Sequence, residues 1–286
     1  MLQNLIYLGL AESGMGWCVA DAARGLGLSC SVLSLDAPLL GKPVTVRPGE
    51  VLWEGTSLLD AGAILVEAPL FPWPQPVVPT EAPGAEREAR SLALSALRAA
   101  AEVRPVWNRP ETGHLAASPA VSLTRLEAAG VAVRPWRLAP APGAGQEAGC
   151  LVLDAVGRER WHRTSRPPAG EPALVLSAIP GEVLCLLVIG GRIAGACRGA
   201  GGDLPPVDGA EVTAIGSVSS SAAGLAIRAA GVLGLDFAAF LLADGDEERV
   251  LLADAAPDLA TWNALLSGAL PAILVQRLAE AALSVA

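Results

Sequence analysis

The sequence predicts an α/β protein, with a small parallel sheet and its helices first and an α+β region after it. Two observations carry this. Over residues 1–104, short apolar runs alternate with helical stretches, the strand–helix–strand rhythm of a small parallel sheet. From residue 150 onward, strand-like runs follow one another across glycine turns and are interrupted by one long helix.

Each element has its own signal. Asn4–Leu10 reads as a buried strand. Gly14 and Gly16 follow it, and Trp17–Leu26 reads as a helix. Cys30–Leu35 is a second strand ending at Asp36, and Ala63–Glu67 is a third. In the stretch Pro69–Pro76, prolines remove the ladder donors, so a loop is expected. Glu86–Glu102 is rich in Ala, Leu, Arg and Glu and reads as a helix. Together these make a Rossmann-like N-terminal domain over 1–104. Residues 105–286 form the second region. It opens on the short strand Val106–Asn108, and a helix over Ala120–Ala129 ends at Gly130. Val131–Leu138 is extended, and Ala139–Gly149 has linker composition. Cys150–Leu153, Leu174–Ala178 and Val183–Ile189 read as strands. Gly190-Gly191 then turns the chain into Arg192–Ala196, an antiparallel hairpin. Gly199–Gly209 is a loop, and Ala222–Leu233 is a helix closed by Gly234. Phe237–Leu242 and Val250–Ala253 flank an Asp244-Gly-Asp turn, and a last helix runs from about Pro271 to Leu283, with proline in its first turn.

Composition excludes whole classes of mechanism. The 286 residues are 52 % hydrophobic and 17 % charged, which suits a buried core rather than a disordered chain. A net charge of −9 argues against binding nucleic-acid phosphates or an anionic membrane surface. Lys42 is the sole lysine, and His114 and His162 are the only histidines. No Walker-type Gly-Lys-Ser/Thr can be assembled, since the one Gly-Lys is followed by Pro43. A multi-histidine zinc site is excluded as well. Five cysteines, an odd number without Cys-x-x-Cys spacing, read as reduced thiols of a cytoplasmic protein. No signal peptide is expected, because Glu12 and Gly14 interrupt the first apolar run. The longest apolar stretch, Ala222–Ala243, carries Arg228 and Asp236, so no membrane span is expected.

Several constellations bear on chemistry. Gly14-x-Gly16 after a strand, with Asp36 ending the next strand, has the outline of a dinucleotide fingerprint, and NAD-dependent oxidoreduction is one reading. The third glycine is replaced by Val19, so a tight turn before a helix is the plainer one. His162, within Arg158-Glu-Arg-Trp-His162, has no orienting acid at a recognisable spacing. Ser219-Ser-Ser221 lacks the nucleophile-elbow glycines and reads as a loop running into a helix N-cap. Cys185 lies between leucines and reads as packing. Trp73, in the proline-rich loop, is the candidate exposed contact for a protein partner or a homo-oligomer.

The last 110 or so residues resemble a known family. The hairpin Val188-Ile-Gly-Gly-Arg192 through Arg198, then Gly234-Leu-Asp-Phe-Ala-Ala-Phe240, then Asp254-Ala-Ala-Pro257 is similar to the C-terminal half of ATP-grasp ligases of the glutathione synthetase and ribosomal-protein glutamate ligase group. Upstream, Pro105-Val-Trp-Asn108, Ser118-Pro-Ala and Leu126–Pro135 resemble the same group's entry into its central domain. The resemblance implies an ATP-grasp-like α+β region over 105–286. It also implies carboxylate–amine ligation with ATP and Mg, and metal-binding carboxyl and amide side chains at positions aligned with Phe240, Leu252 and Asp254.

The departures point away from that chemistry. Two of the three implied metal positions are apolar, whereas magnesium requires oxygen ligands. The family's phosphate lysines have no counterpart after residue 42, and Asp154 stands where one is expected. A carboxylate there repels phosphate. The family's arginine and aspartate on the strand before Gly190 align with Cys185 and Val183. Arg158, Arg160, Arg192 and Arg198 are candidates to replace the missing cations, and Asp254 is the one metal candidate left. The expected function is therefore a ligase-like protein without a cofactor that binds a partner, a peptide or a metabolite. The alternative is an active ATP-dependent carboxylate–amine ligase with a rebuilt Mg-ATP site.

Overall fold

A computed structural model of the chain describes residues 4–10, 14–67, 83–112, 115, 118–140, 150–154, 172–177, 182–199, 212–243 and 248–285. It divides into two compact units, Met1–Gly113 with Ser267–Ala286, and His114–Leu266. The architecture is mixed α/β, with one parallel sheet in the first unit and antiparallel sheets in both.

In the first unit, strands β1 (Leu5–Gly9), β2 (Cys30–Ser34), β6 (Ala63–Val66) and β7 (Val106–Trp107) form a parallel sheet in the order β2-β1-β6-β7. β1 and β6 are buried at every position, as a two-sided parallel sheet requires. Helix α1 (Met15–Gly25) turns Met15, Val19 and Ala23 inward at helical spacing. Gly14 starts it from a left-handed conformation, φ 62°. A Cβ on Gly16 would stand 2.6 Å from Val32 Cγ1, so a glycine is needed for the helix to reach the sheet. Helix α2 (Pro83–Ala101) buries Ala93, Ala96, Leu97 and Ala100. The C-terminal helix α6 (Leu270–Val285) packs on α1 and β6.

The first unit also holds an antiparallel meander that the sequence reading did not contain: β3 (Val44–Arg47), β4 (Glu50–Trp53) and β5 (Thr56–Ser57). Glu54 and Gly55 turn β4 into β5, both with positive φ (49° and 80°), the conformation of a type I′ hairpin. Trp53 is fully buried and donates from Nε1 to the Ser34 carbonyl at 2.8 Å. The Glu54 carboxylate accepts from the Ser34 amide at 2.9 Å and pairs with Lys42 at 2.6 Å. The sole lysine is thus bound into the fold.

In the second unit, α3 (Pro119–Ala128) begins with proline, and Gly130 follows it at φ 71°. Strands β8 (Trp136–Pro140), β9 (Cys150–Asp154) and β10 (Pro172–Ser177) make an antiparallel sheet ordered β8-β10-β9. Strands β11 (Val183–Ile189), β12 (Arg192–Gly199), β13 (Val212–Ala214), β14 (Phe237–Ala243) and β15 (Arg249–Asp254) make a second, ordered β13-β12-β11-β14-β15. The expected hairpin over Gly190-Gly191 is present. Helix α4 (Ser220–Leu233) is capped by Ser219, whose Oγ accepts from the Ala222 amide at 3.0 Å, and ends at Gly234 with φ 68°. The short helix α5 (Leu259–Leu265), capped by Asp258, and strand β13 are further elements without a sequence signal. Among the described residues, no single helix is long and apolar enough to cross a membrane.

Candidate functional site

The site to be built is the face of the five-stranded sheet where the sequence aligned its metal and phosphate positions. Directly opposed residues on neighbouring strands share a face, so the registers define rows of side chains across the sheet. One row runs Ala214–Cys197–Cys185–Leu241–Leu252 across β13, β12, β11, β14 and β15. The adjacent row on the same face is Gly195–Leu187–Ala239–Asp254. Trp262 and Leu266 pack on this face: a Cβ on Gly195 would lie 2.9 Å from Leu266 Cδ2 and 3.3 Å from Trp262 Cζ3.

This register corrects one position of the sequence alignment. Phe240 opposes Leu186 and Ala253, one step out of phase with Asp254, so it points to the other face. The residue that shares the face of Leu252 and Asp254 is Leu241. A one-residue offset inverts the face of a strand. Leu241 is as apolar as Phe240.

The face is closed as well as apolar. Val183, Cys185 and Cys197 are fully buried, Leu252 is 1 % exposed and Leu241 5 %. Burial pushes the Cys185 thiol well above its ordinary value, and contact with Cys197 and the nearby Asp254 charge push the same way. Cys185 is therefore a neutral, packed thiol at neutral pH. Asp254 is half-buried, and its Oδ1 accepts from the Ala256 amide at 2.9 Å, closing the turn after β15.

The remaining candidates are scattered. Arg192 is exposed at the hairpin turn, opposite Ile189. Arg198 opposes Leu184, on the face away from Cys197 and Asp254, and pairs with Glu182 at 3.7 Å. Arg158, Arg160, His114, His162 and Trp73 lie outside the described residues, and so does the side chain of Asp154, whose backbone pairs with Ala173. Asp36 accepts a hydrogen bond from the Ser34 hydroxyl, so the chain's own serine engages the carboxylate that a dinucleotide ribose would need. Trp17, not singled out by the sequence reading, is 73 % exposed on α1.

The order of these sheets and helices is that of an ATP-grasp protein, and solved structures agree. The ATP-grasp ligase PsnB, complexed with a phosphomimetic variant of its minimal precursor, Mg and ADP, superimposes with a TM-score of 0.74 at 16 % identity, over 97 % of this chain and 98 % of that one. A RiPP-associated ATP-grasp ligase of Chryseobacterium gregarium, in complex with ADP and a leader and core peptide, matches at TM-score 0.71 and 12 % identity over 100 % and 98 %. The macrocyclase MdnC of Microcystis aeruginosa MRC, bound with precursor peptide MdnA, matches at 0.65 and 13 % over 96 % and 99 %. The chain has the ATP-grasp fold over its whole length. No protein-family model matches it, and no curated protein is significantly similar in sequence.

That fold raises the question of magnesium, and the described donors do not fit it. A near-octahedral oxygen shell would have to be raised on two leucines, two thiols and one carboxylate already used in a turn. Among the described residues, no three His, Cys, Asp or Glu side chains group to hold a metal ion.

Proposed function

We propose that this chain is a non-catalytic protein of the ATP-grasp fold that acts by binding a peptide. The row Cys197–Cys185–Leu241–Leu252 carries this reading, because phosphoryl transfer rests on positioning and charge neutralisation and this row offers neither. A peptide is favoured as the ligand because PsnB, MdnC and the Chryseobacterium ligase were each solved with a precursor or with leader and core peptides. No cofactor takes part. Trp73 is the candidate contact for a partner or a second copy, and the free Cys18, Cys30, Cys185 and Cys197 suit the reducing cytoplasm. Isothermal titration of the full chain with Mg-ATP is the test: no binding is expected, and a micromolar affinity would overturn the proposal.

The ADP in two of those structures, with Mg in one, favours a second reading, an active ATP-dependent carboxylate–amine ligase with a rebuilt site. Arg158, Arg160, Arg192 or Arg198 would then hold phosphate and Asp254 the metal. Arg198 and Asp254 stand on opposite faces of the sheet, which weighs against that pair acting together. Peptide-stimulated ADP release that disappears in Asp254→Ala is the outcome that would establish it.

A further inference from the structure

An exposed helix face in the first unit has the pattern of an interaction surface. Helix α1 turns Met15, Val19 and Ala23 into the core. Its opposite side carries Trp17, Asp21, Arg24 and Gly25, spaced i, i+4, i+7 and i+8 and all exposed. Trp17 is 73 % exposed, whereas Trp53, Trp107 and Trp262 are at most 4 % exposed and Trp136 is half-buried. An indole can bury about 150–250 Å², and tryptophan is enriched among the residues that dominate interface energies. The charges beside it are ordered. Arg24 and Asp21, 78 % and 72 % exposed, pair with each other at 2.6 Å. At Gly25 a Cβ would meet nothing within 4 Å, so bare backbone lines the surface there.

We propose that this face is the contact of a two-fold homodimer, in which a second copy of this chain lays its own α1 antiparallel on it. The order of groups along the helix is complementary to the same order run backwards. With the two-fold axis beside Asp21, position 17 of each helix stands level with positions 24 and 25 of the other. Trp17 of one copy then lies on the Arg24 guanidinium of the second copy, a cation–π contact. It also lies over Gly25, where a missing side chain lets two helices approach closely. Asp21 of each copy reaches the Arg24 of the other as well as its own, so four charges alternate around the axis. The opposed directions also set the two helix dipoles head to tail. A second copy supplies every complementary group by symmetry, which is why it is the occupant. The face is one helix of 11 residues, far short of the ~800 Å² per partner of a stable interface. The dimer is therefore weak, with a Kd on the order of 10–100 μM. It is independent of the five-stranded sheet and of the peptide reading above.

The test is sedimentation of the full chain from about tenfold below to about tenfold above that Kd. The average mass should rise from that of one chain toward that of two. Trp17→Ala should weaken the association about tenfold or more. Arg24→Glu makes the face wholly acidic and Asp21→Arg makes it wholly basic, so neither variant should pair with itself, and an equimolar mixture of the two should form a heterodimer. All three positions are exposed, so the variants keep the fold, which circular dichroism checks. A chain that stays single at the highest concentration leaves this face to another protein and overturns the proposal. Association of Trp17→Ala as tight as the wild type overturns it too, as does a mixture of the two charge variants that stays monomeric.

Discussion

Cys18, Cys30, Cys185 and Cys197 behave differently because their surroundings differ. Cys18 is exposed on α1 beside Trp17, whereas Cys185 and Cys197 are fully buried and face each other across a hairpin. Burial pushes the Cys30 thiol up to about 11, against a smaller opposing effect of a hydrogen bond involving the Tyr7 backbone. Aromatic disulfide reagents should therefore label Cys18 within the native protein and reach Cys185 and Cys197 only on unfolding; rapid native labelling of Cys185 would show that the face is open. The sign of the Cys30 effect is fixed by linkage. A thiol held neutral contributes stability in full below its ordinary value of 9.0 and loses it as pH rises through about 11. Denaturant unfolding on either side of pH 9 should show a steeper loss in the wild type than in Cys30→Ala. Gly9 is a sharper case. A Cβ there would collide with the buried Tyr7 ring and the Glu67 carboxylate, so Gly9→Ala should lower stability by about 1–3 kcal/mol in thermal or urea unfolding.

At the scale of elements, caps and turns set the boundaries that matter. Ser219 accepts the Ala222 amide and donates to Glu248, so Ser219→Ala removes the N-cap of the helix over Ser220–Leu233 and should cost about 1 kcal/mol of stability by equilibrium unfolding. Most elements were legible because their periodicity is unambiguous: Val183–Ile189 is buried at every residue, and the helices over Pro119–Ala128 and Ser220–Leu233 are followed by Gly130 and Gly234, both left-handed. The meander of Val44–Ser57 was not. Its strands span two to four residues, half-exposed, and what holds them is Trp53 and Glu54 reaching back to Ser34, contacts that sequence spacing does not announce. The same limit applied to the candidate site. The apolar residues at the positions that the resemblance aligned with metal ligands were visible in the letters, but the face of each strand depends on register. That is why Leu241 had to replace Phe240 once Cys185 was found opposite it. Sequence order also gave no sign that the last helix packs on α1 and β6, since tertiary docking of a terminal helix follows no local pattern.

At the scale of the whole molecule, fold and site chemistry are separate questions. The chain follows the ligases PsnB and MdnC over at least 96 % of its length at 13–16 % identity, so the architecture is shared although most residues differ, and a shared fold does not fix a site's chemistry. A fold kept without its ligand contacts has a thermodynamic signature. A nucleotide that binds only the folded state stabilises it by about 4 kcal/mol at a thousandfold excess over Kd, which raises the unfolding midpoint by on the order of 10 °C in a chain of this size. An active ATP-grasp site would respond in this way to Mg-ADP or Mg-ATP. Here the row that carries the non-catalytic proposal is two buried thiols and two leucines, none more than 5 % exposed. Opening that face to admit a nucleotide would expose apolar surface and bury phosphate charge against it. Thermal unfolding with millimolar Mg-ADP should therefore match unfolding with Mg alone. A rise of several degrees would mean that the nucleotide is held by groups off this face, with Arg158 and Arg160 the first residues to replace.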